Sequence, residues 1–221
     1  QNASFRVGSS GLFLGGKLKV NRSDTSLRLD LGDENPIELG LGTTTDVGLA
    51  FQGFFDSRDT TFTPSRGRFV SLNVWRHDTA LGGDFAYWKT ELKVLSFHPL
   101  AAGVFLGLRA QGAAVSGDPP FWGYPWITLR GIPAMRYQDE RVVALEAEVR
   151  WNVAARWAVV GFLGGGATDG DLARFENQDL LGAGGVGVRY LFAADLGLWI
   201  GADIARGPEE DVWYIQVGHA W

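Results

Sequence analysis

From residue 143 to residue 153 every second side chain is apolar: Val143, Leu145, Ala147, Val149, Trp151 and Val153. Between them stand Ala144, Glu146, Glu148, Arg150 and Asn152. A period of two sends successive side chains to opposite faces of a strand. A soluble protein would not bury the second set and expose the first, so this strand separates an apolar medium from a wet one. Similar alternation recurs along the chain. Leu12, Leu14, Leu18 and Val20 oppose Phe13, Gly15, Lys17 and Lys19; Leu27, Leu29 and Leu31 oppose Arg28 and Asp30. Ile37, Leu39 and Leu41 form a third run, and Val47, Leu49 and Phe51 a fourth. Later runs start near residues 70, 86, 104, 156, 183 and 195, and the last spans 212–221. In that last run Trp213, Ile215, Val217, His219 and Trp221 share the outward face.

The pattern predicts an all-β fold: a transmembrane antiparallel β-barrel of about twelve strands, ten being the alternative because the runs before residue 45 are short. Connections at 33–35, 99–102, 154–155 and 193–195 are short, whereas 116–139 and 168–181 are long. Short turns face the periplasm in such barrels, which places both termini there. The connection 56–67 is long yet falls on the periplasmic side. Residues 1–11 alternate weakly and read as a tail or small plug, and 12–221 as one barrel domain.

Composition narrows this further. No run of about 18 apolar residues exists, so a helical span is excluded. Glycine (31 residues) and aromatics (13%) suit a twisted, closed sheet with aromatic girdles. Cysteine is absent, so the fold needs no disulfide. A net charge of −5 points to no nucleic-acid partner. Gln1 opens the chain without a basic and apolar leader, the expectation being a processed, exported protein.

Candidate chemistry is sparse. Glu146, Arg150, Arg109, Arg189 and Asp203, with Lys89, Glu91 and Lys93, give an interior of mixed sign. Such charges neutralise one another across strands and line a lumen more readily than they catalyse. The run Gly182–Gly187 has dinucleotide-loop spacing but continues as a strand, so no helix N-terminus can receive a phosphate. His77, His98 and His219 are scattered without metal-ligand spacing and read as turn or interface residues. No metal, cofactor or enzymatic activity is expected. Trp75 and Trp199 point inward by parity, and most other tryptophans read as interface anchors. Glu209, Glu210 and Asp211 form an acidic extracellular turn.

The long loop holds Leu129-Arg130-Gly131-Ile132 and Arg136-Tyr137-Gln138-Asp139-Glu140-Arg141, followed by Glu148-Val149-Arg150. This resembles the signature loop of the BamA/TamA-type outer-membrane assembly superfamily, the bacterial surface-antigen barrels. Further similar pieces follow the family order: Asp56-Ser57-Arg58-Asp59 with Pro64-Ser65-Arg66-Gly67, Gly185-Val186-Gly187-Val188-Arg189, Asp203, and a terminal signal in Gly218 and Trp221. The resemblance covers about residues 46–221. It implies that loop 116–139 folds into the lumen and that Arg130 and Gly131 latch it there. Ile132 stands where the family has an aromatic residue, and Gly164 where it has an acid, which leaves Glu148 as the implied carboxylate. The other reading of Arg130 is an extracellular arginine facing solvent or lipopolysaccharide phosphate. The family's soluble POTRA domains are not recognisable, so a POTRA-less variant is expected.

The implied function is outer-membrane protein or lipid biogenesis, or translocation, at the bacterial outer membrane. Alternatives are a non-catalytic scaffold barrel in an outer-membrane complex, or a passive pore. Expected partners are outer-membrane lipid and lipopolysaccharide, with a partner outer-membrane or periplasmic protein as a further option.

Overall fold

A computed structural model describes residues 1–29, 37–171 and 180–221, with side chains described except at 26–29 and 37–41. Eleven antiparallel strands form one sheet in strict sequence order. They are β1 (Asn2–Arg6), β2 (Leu12–Leu29), β3 (Ile37–Asp56), β4 (Gly67–His77), β5 (Ala86–Ala101) and β6 (Val104–Asp118). The remainder are β7 (Arg141–Ala154), β8 (Trp157–Asp169), β9 (Leu181–Ala193), β10 (Leu198–Arg206) and β11 (Asp211–Val217).

Among the described residues the strands number eleven, where the sequence led to about twelve, with ten as the alternative. The run near 12–20 and the one that starts at Leu27 lie on one 18-residue strand, Leu12–Leu29, and those near 37–42 and 47–55 on one of 20 residues. At roughly 3.3 Å per residue such strands run well beyond an apolar band ~25 Å tall. Beyond that band hydrophobic alternation lapses at Asn21–Thr25 while the ladder continues against Gly42–Asp46. The eleventh strand comes from the segment read as a tail or plug. Asn2–Arg6 pairs with β2 from Asn2↔Lys17 to Arg6↔Phe13. Gln1 lies beside Leu18, its ammonium 2.9 Å from the Leu18 carbonyl, partway along the wall. The odd count makes β1 and β11 run in the same direction, toward the end of the sheet that carries the short turns. The turn at 33–35 and most of loop 168–181 lie outside the described residues.

The faces segregate as the alternation requires. Outward residues include Leu49, Phe51, Leu92, Leu145, Leu163, Val186 and Ile215, all exposed. Inward residues include buried Asp46, His77, Arg109, Glu146, Glu148, Arg189 and Asp203. An exposed apolar belt around a buried charged interior is the arrangement of a lipid-facing barrel wall. The sheet curls on itself, because Arg130 bridges Glu146 on β7 and Asp203 on β10. Among the described residues, no ladder joins β1 to β11.

One end of the wall carries the connections 7–11, 57–66, 102–103, 155–156 and 194–197; the other carries the longer loops, including 119–140. That loop contains a short helical turn (Phe121–Gly123) and otherwise holds its shape by packing inward. Ile127, Leu129, Ile132 and Tyr137 make an apolar cluster with Val142, Ala144 and Leu181 inside the wall.

Candidate functional site

The loop can enter because β8 gives it space. A Cβ at Gly164 would stand 2.9 Å from Leu129 Cδ2, and one at Gly166 2.7 Å from Ile127 Cγ2. The inward glycines are thus Gly164 and Gly166, with Gly165 on the opposite face. Where the loop reaches β10, Gly131 adopts a left-handed φ of 95° and its backbone packs on Arg206 and Gly207. A side chain there would meet both backbone strain and a carbonyl 3.0 Å away. The Gly131 amide donates to the Tyr214 hydroxyl at 2.9 Å, tying the loop to β11.

These contacts aim Arg130 at three carboxylates. Its Nε donates to Glu146 Oε1 at 2.9 Å and its Nη1 to Asp203 Oδ2 at 3.0 Å. Glu148 Oε2 lies 2.7 Å from Nη1, an ion pair off the hydrogen-bond line. The guanidinium also lies over the Phe162 ring, 3.5 Å from its centroid. A planar fork of fixed donors suits several carboxylates at once, which a lysine cannot match. Arg130 thus meets Glu146 and Asp203 as well as Glu148, the one carboxylate the resemblance implied.

The network closes around this centre. Arg109 donates to Glu146 Oε2 at 3.1 Å and to the Thr128 carbonyl at 2.5 Å, holding loop and wall together. Arg189 grips both oxygens of Asp203. Arg150 stacks over Phe105, with centroid distance 4.7 Å, and faces Trp199 at 6.0 Å. Every carboxylate at the centre therefore has a guanidinium neighbour, the condition for burying such groups.

The end of β11 departs from the sequence expectation. Gly218, in left-handed conformation with φ 80°, turns the chain off the wall. Its amide donates to the Trp199 carbonyl at 2.7 Å, and the His219 amide to the Phe62 carbonyl at 2.6 Å. His219 and Trp221 consequently leave the outward face and enter the lumen. Trp221 Nε1 donates to Glu146 Oε1 at 2.8 Å, and its ring stands 5.8 Å from the guanidinium carbons of Arg109 and Arg130. His219 Nε2 lies 3.5 Å from Glu148. The reason is local: a left-handed glycine ends the ladder, so parity no longer applies beyond it. Trp213, Ile215 and Val217, before the turn, do face outward.

His77 is likewise no turn residue. Its Nδ1 lies 2.5 Å from Asp46 Oδ1, the Tyr87 hydroxyl donates to Asp46 Oδ2 at 3.0 Å, and the His77 and Tyr87 rings stack at 4.0 Å. This buried trio pins β3, β4 and β5 together. Sequence reasoning passed over Asp46 and Tyr87, though both sit on the inward parity of their strands. His98 pairs with Ser96. In the acidic turn, Glu209 receives bonds from Arg136 and Tyr137, and Asp211 one from Arg206.

Connection 57–66 has internal order of its own. Asp56 holds Arg58 through two side-chain bonds, and Asp59 accepts from the amides of Thr60 and Ser65. The bonds from Arg58 hold the Asp56 carboxyl below its ordinary value, against the opposing effect of burial. Phe62, at the tip, is the residue that receives the tail at His219.

No curated protein matches the chain. Among solved structures, the crystal structure of BamA from Haemophilus ducreyi lacking POTRA domains 1-3 is similar, with a TM-score of 0.63 at 9% identity. The match covers 93% of this chain and 50% of that one, so the chain spans about half the length of this relative. At that identity the likeness speaks for the fold. Residues 3–122, more than half of the chain, match the Omp85 superfamily domain, so the chain belongs to the Omp85 superfamily and is by membership a bacterial outer-membrane β-sheet protein.

Proposed function

We propose that the chain serves outer-membrane biogenesis by offering a sheet edge to an incoming strand while its lumen stays latched. The observation that carries this reading is that, among the described residues, β1 and β11 each pair on one side only. Their free N–H and C=O groups form a template for strand addition. Both edges are short, five and seven residues, and five residue pairs hold β1 to β2. Exchange at such an edge disrupts few ladder bonds. In this reading the short turns and the tail at Gly218 face the periplasm, the long loops face outside, and outer-membrane lipid and lipopolysaccharide surround the apolar belt. No covalent chemistry is assigned, because the buried carboxylates around Arg130 are engaged by arginines and Asp46 by His77 and Tyr87.

The decisive assay places the protein in liposomes and follows folding of an unfolded outer-membrane barrel by gel mobility. Faster folding than in protein-free liposomes supports the proposal, and equal rates remove it. A scaffold role is favoured by the same unpaired edges if strands of a partner complete the wall; a stable complex from native membranes, without faster client folding, would select it. A passive pore is disfavoured by the loop and ion cluster that fill the lumen.

A further inference from the structure

Lysines occupy the part of the lumen beside the arginine cluster, on the β2 and β5 side of Arg109. Lys17 and Lys19 lie on the inward face of β2, and Lys89 and Lys93 on that of β5. Inward carboxylates in this region are Asp46 and Glu91. Asp46 has both oxygens engaged by His77 and Tyr87. Glu91 is shared with Lys89 at 3.5 Å. Lys17 donates to the neutral amide of Asn73 at 2.9 Å, and among the described residues Lys19 and Lys93 have no anionic partner.

Lys89, Lys93 and Glu91 line a cavity of about 270 Å³ between β4, β5, β6 and the returning loop. Ser71, Asn73 and Gln111 complete its polar wall, with Trp126 of the loop beside it. Lys17 reaches that wall through Asn73. Three ammonium groups against one carboxylate leave two positive charges around the space. Each liquid water takes roughly 30 Å³, so the volume accommodates a phosphate-sized group with part of its hydration.

We propose that this cavity binds a phosphate group, held by Lys93, Lys89 and Lys17 and oriented by the neutral donors of Ser71 and Gln111. The contrast between the two parts of the lumen carries the argument. Around Arg130 each of the three carboxylates is engaged by a guanidinium of the chain, with four arginines against three acids. Around Lys93 the positive charge is uncompensated by the chain, and the groups are lysines, compact point charges suited to phosphate. The two charges match a phosphate dianion. The group could arrive as free phosphate or as a lipid headgroup, which share this chemistry.

The test titrates inorganic phosphate into the folded protein in a non-ionic detergent and reads binding by calorimetry, with chloride as the control. The wild type binds one phosphate per chain, more weakly as ionic strength rises. Lys93→Met weakens binding roughly tenfold or more, Lys93→Arg restores it to within a few-fold, and Arg141→Gln, at the exposed pair with Asp169, leaves it unchanged. Gel mobility checks folding; if Lys93→Met does not fold, Lys17→Met supplies the comparison. To separate the sources, protein from vesicles of phosphatidylcholine with or without phosphatidylglycerol is examined by native mass spectrometry. A retained phosphatidylglycerol that phosphate displaces assigns the headgroup, and phosphate binding without retained lipid assigns the free ion. Absence of both for a folded wild type overturns the proposal, as does binding that Lys93→Met and Lys17→Met leave unchanged.

Discussion

Replacing Arg130 by Met keeps an apolar stem while removing the guanidinium and its contact with the Phe162 ring. The cost falls unevenly on its three partners. Glu146 retains Arg109 at 3.1 Å and Trp221 at 2.8 Å, and Asp203 retains Arg189. Glu148, 3% exposed, keeps no short ion pair with a guanidinium among the described residues: His219 lies 3.5 Å away, and Arg150 acts on it through longer-range attraction. Removing one partner of a buried ion pair costs ~3–5 kcal/mol, chiefly through the charge left behind. Arg130→Met is therefore expected to cost about 4 kcal/mol. Glu148→Gln alone costs less, ~1–2 kcal/mol, because Glu146 and Asp203 still hold the guanidinium. In the double variant no orphaned carboxylate remains at Glu148, so it costs less than the sum of the singles, by ~1–3 kcal/mol. Urea titration of detergent-folded protein, read by gel mobility, measures all three. Planar-bilayer conductance reports whether the released loop opens the lumen, with Arg130→Met expected to conduct more than wild type. Strict additivity, or an Arg130→Met variant as stable as wild type, would refute the assignment of Glu148 as the dependent carboxylate.

Other perturbations probe the remaining contacts. Gly166→Val drives a side chain into Ile127, so the variant should lose ~1–3 kcal/mol in the same urea titration and show faster proteolysis within residues 119–140. Trp221→Phe deletes the indole donor to Glu146 but keeps an aromatic ring; a loss of ~1–2 kcal/mol is expected, whereas a tail facing lipid would give no loss. The Glu209 carboxyl is held below its ordinary value of 4.5 by hydrogen bonds from Arg136 and Tyr137. A depressed carboxyl stabilises the fold above its unfolded value and loses that contribution as pH falls through its folded value. The loop contact should thus survive acidification to the ordinary carboxylate range and open only below it. Limited proteolysis across an acid titration checks this, and Glu209→Gln should abolish the acid step.

Several features of the wall were legible in the alternation because they depend on backbone geometry alone. Val143 to Val153 face outward and Glu146 to Asn152 inward, as period two demands. The boundaries of β2 and β3 were not legible, because the signal was hydrophobicity and the strands outrun the apolar belt. The latch loop was recognisable from Arg130 and Gly131, and the inward glycines of β8 from the run at 164–166. Which carboxylates Arg130 meets depended on residues 73 positions apart, Arg130 and Asp203, and no local pattern encodes that separation.

Alternation along the chain was enough to specify a two-faced antiparallel wall with a charged interior, since each residue's facing depends only on its neighbours. Three outcomes needed the curled sheet: Arg130 meeting Asp203 as well as Glu146 and Glu148, Trp221 turned into the lumen, and three lysines gathered at a cavity with one carboxylate. Each depends on which distant strands the curvature brings face to face, and on a single left-handed glycine that takes the last residues off the ladder.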